Sequence, residues 1–243
     1  MRWGVVTFPG SLDDGDTAYA LGRVLGEDVT SLWHKDRSLR GVDCVVLPGG
    51  FSYGDYLRPG AIARFAPIME EVMRFAHDGG LVMGICNGFQ VLCEAGLLPG
   101  ALIRNRSLRF VCTQTIVRVE EAETPFTRAC REGDLLRLPI KHNEGCFVAE
   151  EDVLQRLEEN RQIVLRYVDA AGRVTDEANP NGSLNNVAAI VNATRNVFGM
   201  MPHPEYACEN AIGGEDGARL FRSIRATATG GAPVLTASVP PGL

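Results

Sequence analysis

The sequence predicts an α/β fold, with a mostly parallel central sheet and helices on both faces. Three observations carry this. Short apolar runs alternate with helical patterns through the first 96 residues, and strands separated by helices need crossover connections that lay the strands parallel. The runs are continuously apolar, as in strands buried on both faces. A chain of 243 residues also supplies ample material for one large core.

The elements follow in order. Trp3–Phe8 reads as the first strand, then a turn at Pro9-Gly10-Ser11 and a helix around Thr17–Leu25. Val42–Leu47 is a second buried strand. Ile62, Phe65, Ala66, Met69, Val72, Met73 and Ala76 fall at helical spacing, with Glu70, Glu71 and Arg74 outside the stripe. Leu81–Cys86 is the next strand, and Asn87–Gly96 a short helix closed by its C-terminal glycine. Beyond residue 100, Phe110–Val119, Phe147–Glu150 and Ile163–Val168 read as strands, with a short helix at Val153–Glu159. Val187–Val191 and Val197–Met201 return to buried strand character, and Gly217–Ala226 is the last helix. No repeat or interdomain linker interrupts this, so residues 1–229 are expected to form one domain. Residues 230–243, dominated by Gly, Ala, Pro, Ser and Thr, are expected to be a loose tail.

Composition excludes several classes of function. A net charge of −6 argues against a general nucleic-acid or anionic-membrane surface. No apolar run approaches membrane-spanning length, and no charged-then-apolar leader precedes the first strand. Seven cysteines, an odd number, suggest reduced thiols and a cytoplasmic setting. None forms a C-x-x-C pair, so no metal site is expected.

Gly84-Ile85-Cys86-Asn87-Gly88 is the most informative stretch. A residue at such a strand-to-helix corner is pushed out of the sheet, and glycines on either side remove side chains that would crowd it. This is the logic of the nucleophile elbow, with sulfur replacing oxygen. The helix N-terminus favours an anion, so Cys86 is expected to ionise readily. A cysteine taken at random is more often a small buried hydrophobe, which suits Cys44, Cys93, Cys112, Cys130 and Cys146. Cys208 reads as merely exposed.

A cysteine nucleophile needs a base, and the base needs an orienting group. His203 lies in Met201-Pro202-His203-Pro204-Glu205, just after a buried strand. Pro204 forces His203 into an extended conformation, where residues two apart point the same way. Glu205 is thus placed to bond one imidazole nitrogen and leave the other for Cys86. Both residues emerge at the carboxyl ends of strands, on one edge of the sheet. His142 is the rival base, and His34 and His77 read as solvated. The loop Pro48-Gly49-Gly50-Phe51-Ser52-Tyr53-Gly54-Asp55 lacks the lysine and Ser/Thr of a P-loop. It is better placed to supply a backbone N–H, and Gly50 and Asn87 are the expected oxyanion donors. Gln90, one turn beyond Cys86, reaches back toward the same pocket.

Together these segments resemble the class I glutamine amidotransferases, whose pattern is a glycine loop, then G-x-C-x-G, then H-x-E. Asn105-Arg106-Ser107-Leu108-Arg109-Phe110 and Asn179-Pro180-Asn181-Gly182-Ser183 narrow the resemblance to a branch of glutaminase subunits serving purine biosynthesis. The resemblance spans roughly residues 1–225. Two departures stand out: Leu12-Asp13 replaces the Asn-Cys expected after Pro-Gly-Ser, and Asn143 replaces a glycine before Glu144.

The resemblance implies a flavodoxin-like three-layer fold and hydrolysis of glutamine through a glutamyl thioester on Cys86, with His203 and Glu205 completing a triad. It implies that Gln90 and the Ser107 region hold the substrate. It further implies a large ATP-dependent synthetase subunit that amidates formylglycinamide ribonucleotide, bridged by a small third subunit. ATP and magnesium then belong to that partner, with no cofactor in this chain. Two other readings are a DJ-1-like cysteine hydrolase, and a non-catalytic scaffold in which Cys86 senses redox state.

Overall fold

The computed structural model describes residues 1–231. Its main sheet contains β1 (Arg2–Thr7), β2 (Asp28–Trp33), β3 (Cys44–Leu47), β4 (Leu81–Ile85), β6 (Val111–Val119), β7 (Leu135–His142), β9 (Ile163–Val168), β10 (Val187–Val191) and β11 (Val197–Met200). A separate two-stranded sheet pairs β5 (Ala101–Ile103) with β8 (Cys146–Val148). The helices are α1 (Asp14–Tyr19), α2 (Pro67–His77), α3 (Asn87–Glu94), α4 (Glu151–Glu159) and α5 (Asp216–Ala228).

The strand order is β2-β1-β3-β4-β11-β10-β9-β6-β7. The five strands from β2 to β11 are parallel neighbours, and the remaining four continue the sheet by antiparallel pairing. Each second reversal restores direction, so only β10 and β6 run against the rest. The sheet is mostly parallel, as expected.

Register also places helices on both faces. Gly4 pairs with Val45, Val45 with Val82, and Leu47 with Gly84, so these residues share one face. A Cβ on Gly84 would meet Leu92 of α3, which therefore covers that face. Trp3 points the other way and packs edge-on against Phe221 of α5, with ring centroids 5.9 Å apart. The three layers share one core, in which β3, β4, β10 and β11 are almost wholly buried.

The structure adds three strands that the pattern did not reveal, the short β5 and two in the main sheet. β2 carries alternating polar residues and lies at the sheet edge. β7 contains Pro139, a residue confined to edge positions because it cannot donate to a ladder, and β7 is the opposite edge. Phe65 departs from the expected apolar stripe. A 3-10 turn at Ala63–Phe65 precedes α2, and this change of pitch leaves Phe65 exposed beneath the Arg64 guanidinium. At the other end, the N–H groups of Gly230 and Gly231 donate to the Thr227 and Ala226 carbonyls at the close of α5. The rest of the expected tail lies outside the described residues.

Candidate active site

Cys86 occupies the corner between β4 and α3 with φ +50° and ψ −105°, a left-handed conformation that is strained for any residue with a side chain. Both flanking glycines are there for clearance. A Cβ on Gly84 would stand 2.6 Å from the Gly88 carbonyl, and one on Gly88 would overlap the Leu47 carbonyl oxygen. α3 can therefore begin directly over the ends of β3 and β4. The expected elbow is present.

His203 follows β11 in an extended conformation, φ −105° and ψ 95°, ahead of Pro204. Its backbone N–H donates to the Pro139 carbonyl at 2.8 Å. Nδ1 lies 2.6 Å from Oε1 of Glu205, and both side chains are buried. Nε2 has no hydrogen-bond partner among the described residues. Burial alone would lower the pKa of His203, but the Glu205 carboxylate and the adjacent Cys86 raise it above the ordinary value. Among the described residues, no backbone carbonyl accepts a hydrogen bond from the N–H of Gly50, and Asn87 opens α3, where N–H groups lack helical partners.

An open cleft of about 700 Å³ lies over these groups. Gly50 and Phe51 form one wall, Cys86 and Gln90 the floor, and Lys141–Glu144 the opposite wall. Gln90 is buried, donating through Nε2 to the Glu144 carbonyl at 2.6 Å and accepting from Asn87 Nδ2 at 2.9 Å. Ser107 is not brought to the cleft. It sits on an exposed loop, where its hydroxyl accepts from the Arg109 N–H at 3.4 Å. The neighbouring Arg104 and Phe110 line the cleft instead.

The other histidines and cysteines divide differently from the sequence reading. His34 is buried and bonded to the Tyr53 hydroxyl at 2.6 Å, whereas His77 is exposed. His142 lines the cleft, but Asn105 Oδ1 takes its Nδ1 at 3.1 Å, and burial lowers its pKa to about 4. Cys208 is buried against the Pro204 carbonyl, and Cys112 is the exposed thiol. Burial raises the thiol pKa of Cys44, Cys93, Cys130, Cys146 and Cys208.

Several site residues escaped the sequence reading. Asp13 is buried beside His203, its Oδ2 3.6 Å from Nδ1. Asp55 and Glu144 both face the cleft, and burial followed by the charge of Glu144 raises the pKa of Asp55 to about 6. The pairing of loop carboxylates across the cleft depends on long-range topology, and local spacing carries no sign of it. Asp13, His203 and Glu205 offer three ligand-type atoms within 4.8 Å. Nδ1 of His203 is held by Glu205, and Oδ1 of Asp13 by Lys141 and the Tyr206 hydroxyl.

A cysteine on a glycine-framed elbow, a buried His–Glu pair and backbone donors on one sheet edge define the site of a class I glutamine amidotransferase. The comparisons agree. Residues 1–214 match the model of the CobB/CobQ-like glutamine amidotransferase domain. The phosphoribosylformylglycinamidine synthase subunit PurQ of Salinibacter ruber is 59% identical, over 92% of this chain and 95% of its own length. That of Moorella thermoacetica is 58% identical, also over 92% and 95%. A chain in the structure of PurLQS from Thermotoga maritima superposes with a TM-score of 0.83 at 43% identity, covering 93% of this chain and 98% of that one. The chain belongs to the glutamine amidotransferase family and, within it, to the PurQ subunits of phosphoribosylformylglycinamidine synthase.

Proposed function

We propose that this chain hydrolyses glutamine to glutamate and ammonia and passes the ammonia to a synthetase subunit, which converts formylglycinamide ribonucleotide to formylglycinamidine ribonucleotide. The observation that carries this reading is Cys86 at the floor of the cleft with the buried His203–Glu205 pair behind it.

The chemistry follows from the geometry. The Cys86 thiolate attacks the side-chain amide carbon of glutamine, and the N–H groups of Gly50 and Asn87 stabilise the oxyanion. Such a donor is typically worth ~10²–10³ in rate. His203, as imidazolium, gives its Nε2 proton to the leaving ammonia, and a glutamyl thioester remains on sulfur. Neutral His203 then takes a proton from water as the water attacks the thioester. Glutamate leaves and the thiolate is restored. Glu205 holds Nδ1 throughout, fixing the tautomer and supporting the imidazolium. Gln90, Asp55 and Glu144 hold the amino-acid end of the substrate, since an ammonium suits carboxylates while Arg104, 3.6 Å from Glu144, suits a carboxylate.

Ammonia must not escape to water, so the partner has to cover the cleft mouth. Phe51, Leu57 and Phe110 line that mouth and are 47%, 89% and 62% exposed. An apolar rim of this kind marks a protein contact, and the synthetase subunit, joined by a small bridging subunit, is its proposed occupant. ATP and magnesium belong to that partner. The described residues contain no helix long and apolar enough to cross a membrane, and a cytoplasmic location is proposed.

The test is Cys86→Ala in the reconstituted complex. Glutamine-dependent synthesis is expected to vanish while synthesis from added ammonia survives. Loss of both would refute this division of labour.

A further inference from the structure

Asp13 is a buried charge that the chemistry above leaves unused. It sits at the turn between β1 and α1, 1% exposed, where Leu12-Asp13 departs from the expected sequence pattern. Its backbone N–H donates to the Gly49 carbonyl at 3.2 Å. Oδ1 is ion-paired with Lys141 Nζ from β7 and accepts from the Tyr206 hydroxyl at 2.8 Å. Among the described residues Oδ2 has no hydrogen-bond partner, and it lies 3.6 Å from Nδ1 of His203.

The surrounding backbone is shaped for this approach. A Cβ on Gly49 would overlap Asp13 Oδ2 and stand 2.8 Å from Cε1 of His203. The glycine loop therefore gives clearance to the carboxylate and the ring together. A buried carboxylate oxygen without a donor is unfavourable unless a positive group sits beside it. Lys141 offsets one oxygen. The imidazolium formed during catalysis is the positive group within reach of the other.

We propose that Asp13 is a positioning residue for His203, a second carboxylate at the Nδ1 edge that stabilises the imidazolium while Lys141 keeps the local charge from repelling the thiolate. The proposal rests on the triad reading above. The charged and titratable groups around the ring are Glu205 on its own segment and Cys86 from the β4–α3 corner. His142 and Lys141 contribute from β7, and Asp13 from the start of α1. Asp16 is joined to Asp13 through the Tyr206 hydroxyl.

The experiment compares D13N, K141Q and the double variant in the complex, by the pH profile of glutamine hydrolysis. An opposite charge at this separation typically moves a titration by ~1 pH unit or more. D13N removes the negative charge, so the alkaline limb of kcat/KM is expected to move down by about that amount, with kcat falling more than KM rises. K141Q leaves Asp13 uncompensated, so the limb is expected to move up, and the double variant to move less than either. Titration of the His203 ring by ¹⁵N NMR in the isolated chain reads the same shifts without turnover. Unmoved titrations, or shifts of the same sign in D13N and K141Q, would overturn the proposal. If D13N fails to fold, K141Q decides alone: an upward shift supports the role and no shift refutes it. A His203 titration that ignores Cys86→Ala would show instead that the triad reading is wrong.

Discussion

The backbone N–H of Cys86 donates to the carbonyl of Met200 at 2.7 Å, extending the parallel pairing of Ile85 with Met200 by one step beyond the sheet. His203 is three residues further along the same chain. Cys86 and the segment carrying His203 thus leave neighbouring strands at the same level, set by backbone hydrogen bonds rather than by loop conformation.

Two glycine substitutions should separate clearance for folding from clearance for chemistry. Gly88→Ala drives a methyl into the Leu47 carbonyl, a backbone atom that cannot yield, and should destabilise the chain by ~3 kcal/mol. Gly49→Ala meets movable side chains instead, Asp13 and His203. It should leave the denaturation midpoint nearly unchanged while lowering kcat ~100-fold, as expected for a misplaced catalytic group. Urea melts and steady-state rates on both variants check this, and equal effects of the two would contradict it.

A glutamine-like alkylating agent should label Cys86, and glutamine should protect it. A small neutral alkylator should also modify the exposed Cys112, without protection by glutamine. The buried thiols, all held above the ordinary thiol range, should react last. Peptide mapping distinguishes these patterns, and glutamine-protected labelling at Cys208 or Cys146 would be inconsistent with the site described.

Glu205→Gln keeps the size of the side chain but lets its amide present a donor to Nδ1 of His203. The ring is then free to adopt the wrong tautomer and its proton is less tightly held, so glutamine hydrolysis should drop ~10²–10⁴-fold. Ammonia-dependent synthesis by the complex should be unchanged. A fall in both activities would point to a structural role for Glu205.

His142 should make stability pH-dependent in a defined window. Burial first, and then the proximity of His203, lower its pKa from 6.5 to about 4. Above 6.5 it is neutral in both folded and unfolded chains and contributes no slope. As pH falls further, the unfolded chain takes up a proton that the folded chain refuses until about 4, so stability should decline by ~3 kcal/mol across that interval. His142→Gln should flatten this part of the curve when urea unfolding is compared at several pH values. An unchanged slope would show that His142 is protonated in the fold.

Much of the site was legible in the sequence because its logic is local. Gly84, Gly88, Pro204 and the two-residue spacing of His203 and Glu205 act through backbone conformation within a few residues. Gln90 was legible for the same reason, one helical turn beyond Cys86. Ser107 was not, because the path of a loop is set by tertiary contacts rather than by its own residues. Asp13 and Lys141 escaped for a related reason. They are 128 positions apart, and in strand order β7 lies at the far edge from β1, so neither spacing nor strand order announces their contact. The edge strands were the weakest part of the fold reading, since their polar alternation and Pro139 resemble loop chemistry.

The most direct test of the account is an acid quench of the complex during turnover of isotopically labelled glutamine, followed by peptide mapping. The account predicts a labile glutamyl adduct on the peptide carrying Cys86, which is absent in Cys86→Ala and disappears on mild base treatment. An adduct on any other residue, or steady hydrolysis with no covalent intermediate and undiminished activity in Cys86→Ala, would contradict it.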